Sequence, residues 1–311
     1  MIELVRESNG MREVVHLATR VAATDSNVLI TGESGTGKEH VARFIHARSK
    51  RAGQSFLKID CASLPGELLE AELFGYERGA FTGAVEAKPG RIEAAHKGTL
   101  FLDEIAYLTT DAQAKLLRVI ERREFERLGG RRTHKVDARL IALTNVDLNE
   151  AIKRRTFRED LYYRLNVIHI TLPPLRERRA DIRKLAQEFL KTSAAKHGRR
   201  VRELAPEALA LLQAYAWPGN VRELANIIER AVVVTNSDDA RIEANDLPET
   251  LRAAVRLQER EGARQTLAEL ESVYIAETLR WANGNKSAAA RALGISRKNL
   301  YEKIARYRLE A

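Results

Sequence analysis

The sequence has little cysteine, few aromatic residues and no long apolar run. Its single cysteine, Cys61, cannot form a disulfide within the chain or join a second thiol at a zinc site, so we expect it to be a small buried residue. No apolar run reaches the roughly 18 residues of a membrane span. The first ten residues, MIELVRESNG, lack the basic start and apolar stretch of a signal peptide. We therefore expect a cytoplasmic protein with no membrane partner.

What is present is typical of a globular protein of two or three domains. The chain has 311 residues, of which 44% are hydrophobic and 31% charged, and its net charge is +9. Basic residues are concentrated between Asn285 and Arg308, where Glu302 is the only acid. Such a cluster suits a polyanion such as DNA, and a solvated helix face is the alternative.

Short apolar runs alternate with helical patterns in the first half of the chain. Continuous apolar strands separated by helices predict an α/β fold with a parallel sheet covered on both faces. The runs are NVLIT at 27–31, FLKI at 56–59, TLFL at 99–102, ARLIAL at 138–143 and NVIHITL at 166–172.

After Pro173 and Pro174 the strand pattern stops and the sequence becomes helical. Pro206 lies at a predicted helix start, since proline fits the first turn of a helix. We predict four segments: an α/β nucleotide-binding subdomain at 1–172, a helical lid at 173–250, a linker at 251–264 and a helical DNA-binding domain at 265–311.

The segment GESGTGKE follows a predicted strand and opens a predicted helix. Its glycines allow backbone N–H groups to face a triphosphate, and Lys38 would reach the β- and γ-phosphates of ATP. A purely structural glycine turn is the alternative. The predicted nucleotide-binding residues here are Gly32, Glu33, Ser34, Gly35, Thr36, Gly37, Lys38 and Glu39. Glu39 stands where the general pattern has a Ser or Thr ligand for Mg²⁺, so the ion must depend more on other ligands or water.

The segment GTLFLDE, at 98–104, supplies such a ligand. An apolar strand that ends in Asp103 and Glu104 would place one carboxylate near the metal and a second near the attacking water. Paired acids after a strand are otherwise commonly a helix cap. With a phosphate loop upstream, the catalytic interpretation is favoured.

The segment GAFTGA carries a phenylalanine between glycines, where neither a helix nor a strand pattern accounts for it. Phe81 would ordinarily fold back onto a core. We expect a single chain to give it no such support, so that it is offered to a partner on a loop hinged at its glycines. The residues of this predicted contact are Gly79, Ala80, Phe81, Thr82, Gly83 and Ala84.

These motifs together resemble the AAA+ domain of bacterial enhancer-binding proteins, the activators of sigma-54 RNA polymerase. The matching segments are GESGTGKE, ELFGYERGAFTGA, GTLFLDE, FREDLYYRL, LPPLRER and WPGNVREL. The resemblance extends from about Val5 to Leu309 and implies an AAA+ fold with a helical lid. It also implies a ring, usually a hexamer, with ATP between neighbouring subunits and sigma-54 in contact with residues 79–84.

The resemblance assigns roles to two arginines in FREDLYYRL. Arg158 and Arg164 match the arginine fingers that enter the adjacent subunit's site and stabilise charge on the transferred phosphoryl group. Without the family, both would be interpreted as surface ion pairs with Glu159 or Asp160.

Three further polar residues match sensors of the bound nucleotide. Arg222 matches the sensor arginine of the lid, and a helix-surface partner of Glu223 or Glu229 is the alternative. Thr144 and Asn145 match the polar sensor between the acidic pair and the phosphate, with a turn cap as the alternative.

Two positions depart from the family pattern. Asp60 replaces the asparagine that restrains the catalytic glutamate, and a carboxylate cannot donate the hydrogen bond that an amide can. Val146 replaces an arginine and removes a charge that could link subunits.

The segment 285–309 predicts two short helices joined at Gly-Ile-Ser, with Gly294 as a cap of the first and Ser296 as the N-cap of the second. It resembles the helix-turn-helix of the factor for inversion stimulation, and a purely structural hairpin is the alternative. Predicted base contacts are Arg297, Lys298, Asn299, Tyr301 and Lys303, and predicted phosphate contacts are Lys286, Arg306 and Arg308.

The preceding helix, 267–281, carries an apolar stripe. Leu267, Leu270, Tyr274 and Leu279 lie roughly on one face, which would pack on the helical hairpin or pair with a second copy of the chain as a dimer.

The sequence therefore favours an ATP-hydrolysing activator that binds enhancer DNA and remodels sigma-54 RNA polymerase. Another AAA+ remodelling ATPase, of the chaperone or DNA-loading type, is the main alternative, and a DNA-binding regulator with an inactive nucleotide domain is a third. We find no signal-receiving domain before the ATPase motifs. Restraint by a separate partner and a sensor domain outside this chain both stay open.

Overall fold

The computed structural model describes residues 4–235, 240–262, 267–282 and 285–307. The chain divides into two compact units, one that ends at Pro248 and one that begins at Glu249. Each unit is described by itself.

The first unit begins with alternating helices and strands and continues with helices. Its elements are α1 (Asn9–Ala22), β1 (Val28–Thr31), α2 (Lys38–Ala47), β2 (Phe56–Asp60), α3 (Gly66–Phe74), β3 (Gly75–Tyr76), β4 (Lys88–Pro89), α4 (Arg91–Ala94), β5 (Thr99–Asp103), α5 (Thr110–Arg122), β6 (Glu124–Glu126), β7 (Thr133–Lys135), β8 (Arg139–Thr144), α6 (Leu148–Lys153), α7 (Glu159–Leu165), β9 (Ile168–Thr171), α8 (Arg179–His197), β10 (Glu203–Leu204), α9 (Pro206–Ala214), α10 (Asn220–Val234) and β11 (Arg241–Ile242). Short 3₁₀ turns span Ile105–Tyr107, Leu175–Glu177 and Ala244–Asp246.

A parallel sheet organises this unit, as the five apolar runs predict. Within the described residues it has five strands in the order β2-β5-β8-β1-β9. Thr31 at the end of β1 is opposite Thr144, and Asp60 at the end of β2 is opposite Asp103. The carboxyl ends of the strands therefore bring the phosphate loop and the acidic pair to one edge of the sheet.

Both faces of the sheet are buried, which explains the continuous apolar runs. Alternate residues of β1 enter different cores because side chains of a strand point to opposite faces: Leu29 packs with α5 residues such as Leu116, and Ile30 packs with α1 and α2 residues such as Val15 and Ile45. Burial of each such side chain contributes about 1.5–3 kcal/mol. The strand ends are thereby fixed on a rigid support.

The helical part that follows β9 packs α8 against α10 and α9. Pro206 is the first residue of α9, as predicted. The fully buried Trp217 has a positive φ of 54° and donates from its indole N–H to the carbonyl of Leu212 at 2.8 Å. This anchored turn places the start of α10 at Asn220, beside the phosphate loop.

The second unit is helical and includes the predicted helix-turn-helix. Its helices are α11 (Glu249–Gly262), α12 (Leu267–Trp281), α13 (Lys286–Ala292) and α14 (Arg297–Tyr307). Much of the predicted linker is thus helical. Gly294 has a φ of 67° in the turn, and the hydroxyl of Ser296 accepts a hydrogen bond from the Asn299 N–H at 3.2 Å.

The apolar stripe of α12 differs from the predicted one. Ile275 and Leu279 are buried against a core that includes Ala289, Ala290 and Leu300 of the helical hairpin. The prediction that Tyr274 lies on this stripe is wrong, because its side chain is 62% exposed. Leu279 lies on the packed face as predicted, and Ile275, four residues before it, takes the place of Tyr274. The side chains of Leu267 and Leu270 lie outside the described residues.

Candidate functional site

The phosphate loop connects β1 to α2 and is built from glycines with positive φ. Gly35 has a φ of 77°, and a Cβ atom there would lie 2.5 Å from the carbonyl oxygen of Gly219. A Cβ at Gly32 would lie 2.8 Å from the carbonyl oxygen of Leu172. Glycine is therefore required both for the turn and for the close approach of the neighbouring chain.

Lys38 is the first residue of α2, and its side chain is buried beneath the loop. Its ammonium donates to the carbonyl oxygens of Gly32 at 2.7 Å and Glu33 at 3.2 Å, which account for two of its three N–H donors. Burial lowers the pKa of Lys38, and the nearby charges of Glu104 and Asp103 act in the opposite direction. The group is thus a desolvated cation facing an acidic pair, as a phosphate-binding lysine requires.

Asp103 and Glu104 lie at the end of β5, where they face the phosphate loop. Glu104 adopts the left-handed conformation with a φ of 53°, an uncommon arrangement for a non-glycine residue that is concentrated at functional sites. Its carboxylate accepts a hydrogen bond from the backbone N–H of Asn145 at 3.1 Å. Although Glu104 precedes a 3₁₀ turn, its side chain makes no capping bond there, so the cap alternative does not account for it.

A cavity of about 530 Å³ joins the phosphate loop, the acidic pair and the lid. It brings together nine of the predicted site residues: Ser34, Gly35, Thr36, Gly37, Lys38, Glu39, Asp103, Glu104 and Arg222. Further lining residues include Lys58, Asp60 and Phe189. The combination of a buried lysine, two carboxylates and a lid arginine suits a polyphosphate with an associated cation.

The lid contacts the phosphate loop through the start of α10. The side chain of Asn220, fully buried, donates to the carbonyl of Ser34 at 3.0 Å and to Glu33 at 3.1 Å, and it accepts from the Leu175 N–H at 2.8 Å. Arg222 donates to the Ser34 hydroxyl at 3.1 Å. The loop and the lid are therefore directly connected.

The surface-partner alternative for Arg222 does not hold. Glu223 accepts from the N–H of Gly219 and the hydroxyl of Tyr215, and Glu229 pairs with Lys196 and His197. Arg222 instead lines the cavity, as the sensor interpretation predicts.

Two arginines of the segment LPPLRER also hold the loop, and sequence reasoning missed them. Arg176 forms a two-pronged ion pair with Glu33 at 2.6 and 2.9 Å. The buried Arg178 donates to the carbonyl of Thr36 at 2.5 Å. Hydrogen bonds from Arg176 and Asn220 lower the pKa of Glu33 to about 2. The local sequence pattern predicts no role for either arginine, because only the fold brings this segment to the phosphate loop.

Lys58, which lines the cavity, was missed as well. Its ammonium lies 2.6 Å from Glu39 and 3.0 Å from Asp103. Glu39 is therefore held by Lys58, and also by Arg43 at 2.7 Å. The side chain of Asp60 lines the cavity and accepts a bond from the Ala62 N–H at 3.0 Å.

Cys61 follows Asp60 and is buried as predicted. Burial raises the pKa of its thiol to about 12, with a smaller contribution from the charge of Asp60.

The predicted polar sensor is placed at the end of β8. Thr144 is fully buried, and its hydroxyl accepts a bond from the Val146 N–H at 3.0 Å, which is the turn contact that we gave as the alternative. Asn145 is exposed and contacts Glu104 through its backbone N–H. Neither side chain is among those lining the cavity.

The predicted arginine fingers lie outside the chain's own cavity. Arg158 forms a two-pronged ion pair with Asp160 at 2.7 and 3.0 Å, and Arg164 pairs with Glu121 at 2.9 Å. These are surface pairs of the kind that we gave as the alternative for Arg158. Exposed ion pairs contribute little to stability because solvent screens them, so neither pair holds its guanidinium group firmly.

The segment 79–84 forms a tight loop between β3 and β4. Gly79 and Gly83 have φ values of 82° and 105°, and the Gly79 N–H donates to the carbonyl of Ala84 at 2.9 Å. Our expectation that a single chain gives Phe81 no support was wrong. Its ring packs edge-on against Tyr76 with centroids 4.9 Å apart, although 42% of the side chain stays exposed.

The predicted DNA contacts of α14 differ in their availability. Arg297, Lys298 and Asn299 are exposed. Lys303 forms an ion pair with Glu271 of α12 at 2.5 Å, and its side chain is only 21% exposed. The ammonium of Lys286 lies 5.3 Å from the centre of the Tyr301 ring.

Arg306 is also exposed, and its guanidinium lies 5.7 Å from the centre of the Tyr307 ring. Arg308 lies outside the described residues.

The donor set of the cavity fits a magnesium ion bound with phosphate. Across the described ranges, no three His, Cys, Asp or Glu side chains are grouped as a protein-only metal site would require. Magnesium at nucleotide sites is held by one or two carboxylates together with phosphates and water, which matches a site with Asp103.

Within the part of the chain that the structure describes, no helix is both long and apolar enough to cross a bilayer.

The parallel sheet, glycine loop, acidic pair and lid define a nucleotide-binding domain of the AAA+ class. Comparison with family models refines this class. Residues 4–171 match the sigma-54 interaction domain, residues 176–264 match an AAA+ ATPase lid domain, and residues 266–307 match a bacterial regulatory protein of the Fis family.

Similar curated proteins agree with these matches. The regulatory protein AtoC of Escherichia coli is 46% identical, over 99% of this chain and 68% of its own length. The transcriptional regulatory protein ZraR of Klebsiella oxytoca is 47% identical, over 97% of this chain and 68% of its own.

The crystal structure of NtrX from Brucella abortus in complex with ATP is similar as well. It has a TM-score of 0.76 and 37% sequence identity, and the similarity covers 99% of this chain and 70% of NtrX. The chain belongs to the family of sigma-54-dependent transcriptional regulators, which combine an AAA+ domain with a Fis-type helix-turn-helix DNA-binding domain. The family confirms the predicted fold and implies ATPase activity.

Proposed function

We propose that the protein is an ATP-hydrolysing transcription activator that binds enhancer DNA and remodels sigma-54 RNA polymerase so that the promoter opens. The observation that carries the proposal is the cavity in which Lys38, Asp103, Glu104 and Arg222 meet. NtrX, a similar protein, was crystallised with ATP and with ADP. The protein described here also has the 79–84 loop and a helix-turn-helix.

Each cavity residue has a role set by its position. Lys38 binds the β- and γ-phosphates, and the backbone N–H groups of the glycine loop surround them. Glu104 orients the attacking water, and its bond to Asn145 fixes the carboxylate. Asp103 would hold Mg²⁺, which supplies charge neutralisation at the phosphates. Arg222 reports the nucleotide state to the lid.

Ring assembly completes the site in this proposal. Arg158 and Arg164 are exposed and lie outside the chain's own cavity, so each can act in a neighbouring subunit's site. An arginine supplied in trans stabilises charge on the transferred phosphoryl group and makes hydrolysis depend on assembly. A heterologous interface forms a ring when its rotation closes, and we propose that this one closes as a hexamer.

The 79–84 loop is the proposed segment through which ATP hydrolysis acts on sigma-54. Gly79 and Gly83 have positive φ and act as hinges, and the exposed part of Phe81 is offered to sigma-54 with Thr82 beside it. The contact with Tyr76 would hold Phe81 near the surface until the loop moves.

The second unit is the proposed enhancer-binding module. The exposed residues at the start of α14 would contact bases, and Lys286 and Arg306 would contact phosphates. In this proposal the second unit pairs with that of a second copy of the chain to form a dimer.

We keep 1–172, 173–250 and 265–311 as the proposed domains. Because RNA polymerase and enhancer DNA are found at the nucleoid, we expect the protein to act there.

The proposal is tested by two assays on one set of variants. Purified protein should hydrolyse ATP and open a sigma-54 promoter, and Phe81→Ala should retain hydrolysis but lose promoter opening. Val85→Ala is the matched control, since Val85 is 74% exposed and follows the loop directly. Hydrolysis without promoter opening by the unaltered protein, on promoters that a known activator opens, would favour another AAA+ remodelling ATPase.

A further inference from the structure

Lys58 joins two acidic residues of the nucleotide cavity that come from different elements. It projects from β2, an edge strand of the sheet, and its ammonium lies 2.6 Å from Glu39 in the first turn of α2. The same ammonium lies 3.0 Å from Asp103 at the end of β5. The ammonium of Lys58 therefore connects α2 to Asp103, the proposed Mg²⁺ ligand.

The position of Lys58 is fixed on several sides. Its ammonium lies 5.8 Å from the centre of the Phe101 ring, and 34% of its side chain is exposed. Burial alone would lower the pKa of Lys58, but its bonds to Glu39 and Asp103 outweigh burial and raise it. Lys58 and Lys38 together give the cavity two ammonium groups.

We propose that Lys58 is a positioning residue that partly takes the place of the metal: it orients Asp103 and reduces the dependence of nucleotide binding on Mg²⁺. This inference rests on the nucleotide site of the proposed function. When no metal is bound, its charge offsets that of the phosphates. When Mg²⁺ binds, the ammonium and the ion compete for Asp103, since like charges at close range repel.

The measurement is the dissociation constant of the full chain for a fluorescent ADP analogue in EDTA, divided by the dissociation constant for the same analogue in Mg²⁺. Lys58→Met should raise this ratio at least about fivefold, the effect of one close charge in well-solvated surroundings. Lys58→Gln should raise it similarly, and Lys58→Arg, which keeps the charge, should leave it near the wild-type value. Circular dichroism establishes that each variant is folded.

Arg43→Met is the matched control. Arg43 also pairs with Glu39 but is not among the residues lining the cavity, so its removal should leave the ratio unchanged. If Lys58→Met and Lys58→Gln give the same ratio as Arg43→Met, the inference about Lys58 is wrong and the proposed function is unaffected. If the unaltered chain binds no nucleotide, both are wrong.

Discussion

At the scale of single residues, Lys38 shows that the phosphate loop requires burial of a charged group. Its ammonium is buried among loop carbonyls, and burial lowers its pKa although two carboxylates lie nearby. Such a group is retained for binding rather than for stability, because a desolvated cation gains most when an anion arrives.

Replacement of this ammonium should therefore separate binding from folding. Lys38→Met should weaken ATP binding by about 10- to 100-fold, the effect of losing charge-assisted hydrogen bonds. Its melting temperature should not fall below that of the wild type, because methionine removes a buried charge. Isothermal titration and thermal melting test both points, with the exposed Lys50→Met as control. Unchanged ATP affinity would contradict the role of Lys38.

Glu33 gives a prediction about pH. Hydrogen bonds from Arg176 and Asn220 lower its pKa to about 2 from an ordinary value of 4.5. A carboxylate with a lowered pKa stabilises the fold above its ordinary pKa and loses this contribution as pH falls through the folded value. The difference in melting temperature between wild type and Glu33→Gln should thus be constant above about pH 4.5 and shrink towards pH 2. A difference independent of pH would contradict this ion pair.

At the scale of elements, the start of α10 fastens the lid to the phosphate loop. Asn220 has a positive φ of 53° and bonds to Leu175, Glu33 and Ser34 at once. The backbone N–H of Val221 adds a bond to the carbonyl of Gly35 at 2.9 Å. A movement of the loop on nucleotide binding should therefore be transmitted to the lid.

The side chain of Asn220 should carry much of this connection. Asn220→Gly keeps the positive φ but leaves the buried Leu175 N–H without its acceptor, so unfolding free energy should fall by about 1–3 kcal/mol. Asn220→Ala should cost more, because alanine resists positive φ. Urea unfolding followed by the fluorescence of the buried Trp217 measures both variants. Equal unfolding free energies for Asn220→Gly, Asn220→Ala and the wild type would rule out this connection.

Within the helix-turn-helix, the structure separates two basic residues that the sequence treats alike. Arg297→Met should weaken DNA binding by about 1–3 kcal/mol, because Arg297 is exposed and is a proposed base contact. Lys303→Met should change DNA affinity less, since its ammonium is held by Glu271. Fluorescence anisotropy across a salt series compares the two. A larger loss for Lys303→Met would reverse their proposed order.

Much of this arrangement follows from local patterns in the sequence. Apolar runs identify the five strands, and glycine spacing identifies the phosphate loop. The contacts of Arg176 and Asn220 with the phosphate loop, and of Lys58 with Glu39 and Asp103, could not be predicted. They join residues distant in the chain whose local patterns are those of ordinary strand, loop and helix-start positions. The stripe of α12 was misplaced by one residue at Tyr274, since several apolar residues satisfy a helical period and only packing selects among them.

At the scale of the whole molecule, the proposed ATPase activity depends on association between chains. The cavity of one chain contains Lys38, Asp103 and Glu104, while its finger candidates pair with Asp160 and Glu121 on the surface. Hydrolysis should therefore rise cooperatively with protein concentration, and enhancer DNA should shift the rise to lower concentration by gathering chains.

Subunit mixing tests whether one chain's arginine completes another chain's site. Glu104→Gln keeps the fingers but lacks the water-orienting carboxylate, and Arg158→Ala keeps the cavity but lacks a finger. Each alone should be nearly inactive. An equimolar mixture should recover up to about a quarter of the wild-type ATPase rate, because about a quarter of ring interfaces then combine an intact cavity with an intact finger. A mixture as inactive as its components would contradict the account.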